Sequence, residues 1–352
     1  MEEELAELPR VWADDQDVLL DDCTDYPSLT DRFQTDFEPS PWGWSLAAKQ
    51  RFRQFGVPER LLPPDELLGE WRKLSGRAFA VHYATALYQQ IEADPLLRPQ
   101  VVPLQMCYVT DLADLQDLTY PLILKAPWSS SGRSNFVVHQ PSDLQNCDLQ
   151  RTLQALLQRQ GGIMADHFED KVLDFAMEYD VDTRGTVRFL GYSVFSASPA
   201  GRYAFNWVDS AQALQARIAD SLHLDADAVP VLERLRSLHQ KELEKQLGGR
   251  YHGPVGIDML VADNGEGMRR IHPCIELNLR MNMGIVAILL YESLVCRPQR
   301  FLARFLPDLA LDRTAADLTS RILSLSRVPL TPMREHGFHT SLELGRLVTT
   351  FS

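Results

Sequence analysis

Cysteine is sparse and scattered: Cys23, Cys107, Cys147, Cys274 and Cys296 stand apart, without Cys-x-x-Cys spacing. That argues against a zinc site or a disulfide framework and for reduced thiols in a cytoplasmic protein. Positive charge is also short, with 35 lysines and arginines against 48 acids and a formal net charge of −13. A nucleic-acid binder would show a basic stripe, so nucleic acid is not an expected partner. No run of ~18 apolar residues offers a membrane span. The start MEEELAELPRVW is acidic and lacks the apolar segment of a secretory signal. Neither a GxxxxGK[ST] phosphate loop nor a GxGxxG dinucleotide fingerprint occurs. Repeats and low-complexity tracts are missing too.

What is present is an ordinary globular composition, 45% hydrophobic and 24% charged over 352 residues. That length suffices for two or three domains with sizeable cores. The chain is organised around the stretch Gly253–Gly284, which reads as two strands joined by a turn at Asp263-Asn264-Gly265 and Gly267. Ile257, Met259 and Val261 share one face of the first strand and Asp258 takes the other; Ile275, Leu277 and Leu279 alternate with Glu276, Asn278 and Arg280 on the second. Oxygen-bearing side chains on one face of a hairpin suit a hard cation such as magnesium. The pattern equally suits a half-exposed hairpin with a solvated polar face, and the residues alone leave both open. With the turn near Gly265, Asp258 would lie opposite Pro273, about 10 Å short of Glu276 at ~3.3 Å per residue. A bulge near Pro273 or a shifted turn is needed to bring the two acids level. Cys274 alternates onto the polar face, where it is a small filler or a nucleophile.

Residues 1–40 are acidic and weakly patterned, with a short strand expected at Asp17–Leu20. Trp42 and Trp44 bracket a glycine as core residues joining domains or as a substrate platform, and Ser45 caps a helix Leu46–Phe55. A second helix is expected over 63–74. From about residue 100 compact α/β units follow: a strand Val101–Val109, a short helix Asp111–Gln116, strands Tyr120–Ala126 and Phe136–His139, a helix Ser142–Gln158 and a strand Gly162–Asp166. An antiparallel meander comes next, with Asp174, Ala176 and Glu178 on one strand face and a strand Thr186–Phe195 after a turn. A helix Ala228–Gln246 leads to the hairpin, and Ile285–Cys296 reads as a buried helix. Residues 300–352 read as peripheral helices and a tail. Lys125 closes the apolar run Leu122–Leu124 before the small-residue loop Ser129-Ser130-Ser131-Gly132-Arg133. Such a loop leaves N–H groups free for phosphate oxygens beside a fixed ammonium; it also suits a plain connection.

The order of strand-lysine, small-residue loop, Asp174-Phe-Ala-Met-Glu-Tyr179 and GIDM…IELNLRMNMG is similar to the ATP-grasp superfamily over residues 75–300. The ending resembles that of a poorly described bacterial branch with Glu-Ile-Asn-x-Arg-x-x-Met-Gly. The resemblance implies an α+β (α/β) ATP-grasp fold, with a nucleotide between two α+β subdomains and a shortened α/β N-terminal domain before them. The expected division is 1–75 for that front domain, 76–170 for the small subdomain with the phosphate-covering loop, and 171–352 for the large subdomain with the metal hairpin and C-terminal helices.

The resemblance further implies roles for single residues. Lys125 would contact the ATP phosphates, under a loop of Ser129, Ser130, Ser131 and Gly132. Arg77 would replace a lysine usually found earlier in the chain. Asp166 falls in the stretch that borders adenine and Asp174 near the ribose. Asp258, Glu276 and Asn278 would hold Mg2+, with Mn2+ as the alternative ion, and Arg280 would steady the transferred phosphoryl group. The activity implied is an ADP-forming ligase that activates a small-molecule carboxylate as an acyl-phosphate for attack by an amine or thiol. The alternative is an inactive nucleotide-binding module used for sensing or scaffolding, suggested by the short front domain. Trp42, Trp44, Trp128 and Arg188 are candidates for the acceptor lining. The oligomeric state stays open.

Overall fold

The structure, a computed structural model, describes residues 8–14, 17–20, 38–129, 134–197, 203–224, 228–265, 267–306, 315–331 and 338–351. Two antiparallel sheets dominate it. The small sheet has the order β1-β4-β2-β3, built from β1 (Cys107–Val109), β2 (Leu122–Lys125), β3 (Asn135–Val138) and β4 (Ile163–His167). The large sheet runs β10-β11-β12-β7-β6-β5-β8-β9. Its centre is β5 (Asp170–Val181), β6 (Val187–Ala197), β7 (Tyr203–Trp207), β8 (Gly253–Asp263) and β9 (Arg269–Asn278).

The period of two in β5 divides this sheet into two faces. Phe175, Met177 and Tyr179 are fully buried among Ile257, Met259, Val261, Tyr192 and Val194 from the flanking strands. Against that apolar face pack α3 (Arg77–Glu92), α5 (Ala211–Leu222) and α6 (Val229–Leu247), through residues such as Tyr83, Leu87, Ile218, Leu235 and Leu243. Burying such side chains contributes about 1.5–3 kcal/mol each, so this layer fixes the sheet. The alternate residues, Asp174, Ala176 and Glu178, are left facing the small sheet.

A second core forms where α7 (Met283–Cys296) meets α8 (Pro298–Phe305), α9 (Ala315–Leu323) and the C-terminal strands, through Val286, Leu290, Phe301, Ile322, Leu342 and Leu347. Leu8 and Val11 join it, and Ser293 Oγ donates to the Val11 carbonyl at 2.8 Å. The small sheet has its own core with α4 (Cys147–Gln160). Helix starts follow local capping. Ser45 accepts from Ala48 N at α1 (Leu46–Gln54), Asn146 from Asp148 N and Leu149 N at α4, and Asn282 from Ile285 N at α7. The helix α2 (Asp65–Leu74) instead follows two prolines.

Several expectations are corrected. Asp17–Leu20 forms no strand, and before Cys107 the described residues hold helices and a lone bridge from Val101 to Ile271, not an α/β arrangement. Pro103 interrupts the strand expected over Val101–Val109, of which Cys107–Val109 pairs. The C-terminal region is more than helices and a tail: β10 (Val328–Pro329), β11 (Phe338–Glu343) and β12 (Arg346–Phe351) extend the large sheet beyond β7. His339, Thr340, Ser341 and Leu342 are all buried, so both faces of β11 are covered and the alternating signature is lost. No helix of the described residues is long and apolar enough to cross a membrane.

Candidate functional site

The faces of the two sheets not taken by the main core look at each other across a cleft of about 3130 Å³. The large sheet brings Asp174, Glu178, Ser193, Asp258, Glu276 and Asn278 to it; the small sheet brings Ile123, Lys125, Asn135, Val137 and Asp166.

In the hairpin, a turn closes at Asn264 N to Met268 O, with Gly265 and Gly267 both at φ 78°. From Asp258 to Leu260 on β8, the partner chain passes from Glu276 to His272, so β9 carries two extra residues there. This bulge sets Asp258 directly opposite Glu276 and Gly256 opposite Asn278. It also resets the alternation. Cys274 turns away from the cleft into the core beside Met259 and Tyr83, while Ile275 lines the cleft. Burial pushes the Cys274 thiol far up, and neither a polar-face position nor a nucleophilic role fits it.

Short contacts tie the polar face together. Asn278 Nδ2 donates to Asp258 Oδ2 at 3.0 Å, and Arg280 donates to Asn278 Oδ1 at 3.0 Å and to the Met281 carbonyl at 3.1 Å. Burial, then the charge of Glu276, pushes the Asp258 carboxyl up to about 7 against the pull of Arg280 and Asn278. Glu178 is 1% exposed, and burial raises its carboxyl to about 8 although Asn282 Nδ2 donates to it at 2.8 Å. Asp174 accepts from Lys171 Nζ at 2.7 Å, and burial raises its carboxyl too.

Lys125, at the end of β2, is 4% exposed and has no side-chain hydrogen-bond partner among the described residues. Desolvation lowers the pKa of its ammonium, against the charges of Asp166, Glu276 and Asp258. Arg77 opens α3 and is 5% exposed. Its guanidinium lies 3.1 Å from Glu276 Oε2, donates to Ser129 Oγ at 2.8 Å and also donates to the Ala126 carbonyl. Arg77 therefore joins the small-residue loop to the hairpin. Asp166 is engaged already: Oδ2 meets His272 Nε2 at 3.0 Å and Oδ1 accepts from His167 N at 2.9 Å. Burial would raise its carboxyl, but His272, Lys125 and the N–H hold it below the usual range. Its oxygens are thus committed to the two sheets and not free for a base.

The geometry brings Arg77, Lys125, Ser129, Asp166, Asp174, Asp258, Glu276, Asn278 and Arg280 to one cleft. Ser130, Ser131, Gly132 and Arg133 lie outside the described residues. Trp42, Trp44 and Trp128 line the cleft, and the Trp42 carbonyl accepts from Met281 N at 2.8 Å. Arg188 does not line it; its side chain is 74% exposed, next to Asp180. Glu178 was legible as sharing a strand face with Asp174, while two further site groups escaped the sequence reading. His272 and Asn282 carry no signal without the bulge and the helix cap.

Among the described residues no group of three His, Cys, Asp or Glu side chains forms a metal site. The donors that face each other, the Asp258 and Glu276 carboxylates, are oxygen atoms, while the neighbouring Asn278 amide turns its nitrogen to Asp258 and its oxygen to Arg280. Magnesium is usually held by one or two carboxylates with phosphate oxygens and water. Burial first, and the facing Glu276 second, raise the Asp258 carboxyl, an environment that a bound cation would relieve. The donor set therefore fits a hard divalent ion completed by a phosphate ligand.

No protein-family model matches the chain, and no curated protein matches it. Among solved structures, it is similar to the biotin carboxylase domain of Hydrogenobacter thermophilus 2-oxoglutarate carboxylase in complex with MgADP, ADP and bicarbonate. The identity is 13% over 77% of this chain and 52% of that chain, with a TM-score of 0.46. Another is N5-carboxyaminoimidazole synthetase from Staphylococcus aureus with ADP, at 10% identity over 80% and 68% and a TM-score of 0.40. A third is L-amino acid ligase from Bacillus licheniformis, at 16% identity over 83% and 60% and a TM-score of 0.38. The chain spans about half the length of the biotin carboxylase structures from Hydrogenobacter thermophilus and Campylobacter jejuni. These likenesses are distant, and the chemistry is read from the residues of the cleft.

Proposed function

We propose that this chain is an ADP-forming ligase of the ATP-grasp type, which activates a carboxylate as an acyl-phosphate for attack by an amine or similar nucleophile. The observation that carries this reading is the opposition, across one cleft, of Lys125 and Arg77 with Asp258, Glu276, Asn278 and Arg280. Cations on one wall and oxygen donors on the other are what a polyphosphate chelating a metal requires. The three units at 1–75, 76–170 and 171–352 would then be front segment, small subdomain and large subdomain.

Lys125 would meet phosphate oxygens, and its ammonium has no hydrogen-bond partner among the described residues to compete with them. Ser129 and the following Ser130, Ser131 and Gly132 would cover the phosphates, with Arg77 anchoring the near end of that loop through Ser129. Asp174 would face the ribose. Asp166, bound to His272, would border the base as a fixed wall and orient Lys125 by its charge. Asp258, Glu276 and Asn278 would hold Mg2+ or Mn2+, which supplies charge neutralisation at the transferred phosphoryl group. Arg280, already oriented by Asn278, would steady that group. Shielding of an acyl-phosphate from water gives the loop and the flanking Trp128 their purpose.

The test is calorimetric titration of ATP, with and without magnesium, into the natural chain and Glu276→Gln. Magnesium-dependent binding that weakens at least about tenfold in the variant is expected. Equal binding in both proteins would remove the metal role of the hairpin. Substrate-dependent ADP formation then separates a ligase from an inactive nucleotide-binding module.

A further inference from the structure

The cleft continues past Arg280 along the same face of β5, β6, β7 and β12, where Glu178, Ser193, Phe195, Tyr203, Asn206 and Thr349 line it. Glu178, Ser193 and Asn206 are each 1% exposed and form its floor. Asn206 Nδ2 donates to Ser193 Oγ at 3.2 Å, and Asn282 Nδ2 donates to Glu178 Oε2 at 2.8 Å. Phe195, Tyr203 and Thr349 are half-buried and form its walls.

Room for the acid is made by two glycines. A Cβ on Gly284 would stand 2.1 Å from Glu178 Oε1 and 2.5 Å from Ser193 Oγ; one on Gly256 would stand 2.6 Å from Glu178 Oε2. A buried carboxylate at the end of a cleft, held by the Asn282 amide and given space by glycines on two elements, is a built feature. Of the six lining groups Glu178 alone carries a formal charge when ionised. Arg280, at the boundary with the hairpin, is engaged by Asn278 and the Met281 carbonyl.

We infer that this end of the cleft is the acceptor subsite and that it takes a primary amine, its ammonium directed at Glu178 and its carbon body between Phe195 and Tyr203. The inference rests on the ligase reading, since the bound amine, once its ammonium has passed a proton to the Glu178 carboxylate, is then the nucleophile. An anionic occupant is disfavoured: none of the six lining groups is a cation, and a carboxylate or phosphate placed there would have to keep Glu178 protonated. An ammonium against Glu178 favours the ionised carboxylate and pairs with it, which a neutral group of the same shape does not, and aromatic walls add attraction for a cation. The subsite owes one wall to β12, so the C-terminal strands contribute to acceptor choice.

The probes are benzylamine and its neutral analogue benzyl alcohol, titrated by NMR into the full chain with MgADP present. Benzylamine should bind at least about tenfold more tightly than benzyl alcohol. Glu178→Gln should remove that difference, and Thr349→Trp should weaken both ligands about tenfold by filling the wall. Equal binding of the two probes, or undiminished benzylamine binding in Glu178→Gln, would overturn the inference. Should Glu178→Gln fail to fold, undiminished benzylamine binding in Thr349→Trp overturns the location alone. MgATP titration of the same natural protein separates the two readings. Benzylamine binding without MgATP binding keeps the subsite and removes the ligase, whereas MgATP binding without benzylamine binding removes the subsite.

Discussion

The Arg77 guanidinium lies 3.1 Å from Glu276 Oε2, so the first residue of α3 is bound to the hairpin on the opposite wall of the cleft. The same guanidinium holds Ser129 Oγ and the Ala126 carbonyl. One side chain therefore sets the spacing of the helix, the small-residue loop and the carboxylate pair.

Arg77→Met should lower stability and nucleotide affinity together. Arg77 is 5% exposed while the Glu276 side chain remains 28% exposed. The loss is therefore less than for a fully buried pair, about 1–3 kcal/mol in urea denaturation. ATP affinity should fall about tenfold as the loop loses its anchor. Arg77→Lys keeps the charge without the planar fork and should recover less than half of either effect. An unaltered urea midpoint in Arg77→Met would show that the pair carries no net stability.

Asp258 and Glu178 give the ligand-free protein an inverted pH dependence. Their folded carboxyls sit at about 7 and about 8, against roughly 4 in the unfolded chain. Between those limits the folded state holds more protons than the unfolded one, so stability falls as pH rises from about 4 to 8 and levels off above. Asp258→Asn should flatten the lower part of that slope. On the proposed function, MgATP binds the ionised acids and should restore stability above about pH 7. Urea midpoints across this range, with and without MgATP, check both statements; a midpoint that rises from pH 5 to 8 in the ligand-free protein would contradict them.

Asp166 pulls the other way. The Asp166 carboxyl is held below its ordinary value, so its contribution is present above about pH 4, the unfolded value, and is lost as pH falls through the lower folded value. Asp166→Asn should be less stable than the natural chain at pH 5, and the gap should narrow by pH 3. A gap that stays constant across this range would mean that Asp166 acts with His272 by packing alone.

The hairpin was legible because its apolar alternation and Asn-Gly turn are local signals, and Lys125 because a lysine ending an apolar run is conspicuous. The bulge was legible only as a requirement; its placement, and with it the inward turn of Cys274, depends on how β9 fits β8. Arg77–Glu276 and Asp166–His272 join segments far apart in the chain, and no sequence period encodes a cross-cleft pair. The strand β11 was missed because packing on both sides removes the polar alternation that marks a half-exposed strand. Helix α3 has Gly76 at its N-cap and no side-chain cap bond, so its start carries no local punctuation.

The thiols follow from the same reset alternation. Cys274 is fully buried with its thiol pushed far up, whereas Cys147 and Cys296 are exposed. An aromatic disulfide reagent should label Cys147 and Cys296 in the native protein and reach Cys274 only on unfolding. Peptide mapping of the labelled protein checks this. Rapid native labelling of Cys274 would place it back on the cleft face.

Gly284→Ala tests whether the Glu178 end of the cleft is as tightly built as its distances imply. The added Cβ would stand 2.1 Å from Glu178 Oε1, 2.5 Å from Ser193 Oγ and 2.8 Å from Ser193 Cβ. Gly284 lies in the first turn of α7, where alanine is otherwise the better helix former by about 1 kcal/mol. Glu178 cannot swing away freely, because Asn282 holds it and Asn282 also caps α7. Moving the acid would therefore loosen the helix start and the sheet contact at once. The steric term should win over the helix term, giving a net loss of about 1–3 kcal/mol. Gly69→Ala, in α2 with nothing within 4 Å of the added Cβ, supplies the contrast and should gain up to about 1 kcal/mol. If Gly284→Ala were as stabilising as Gly69→Ala in urea denaturation, Glu178 would have room to retreat, and the fixed carboxylate on which the acceptor subsite depends would not exist.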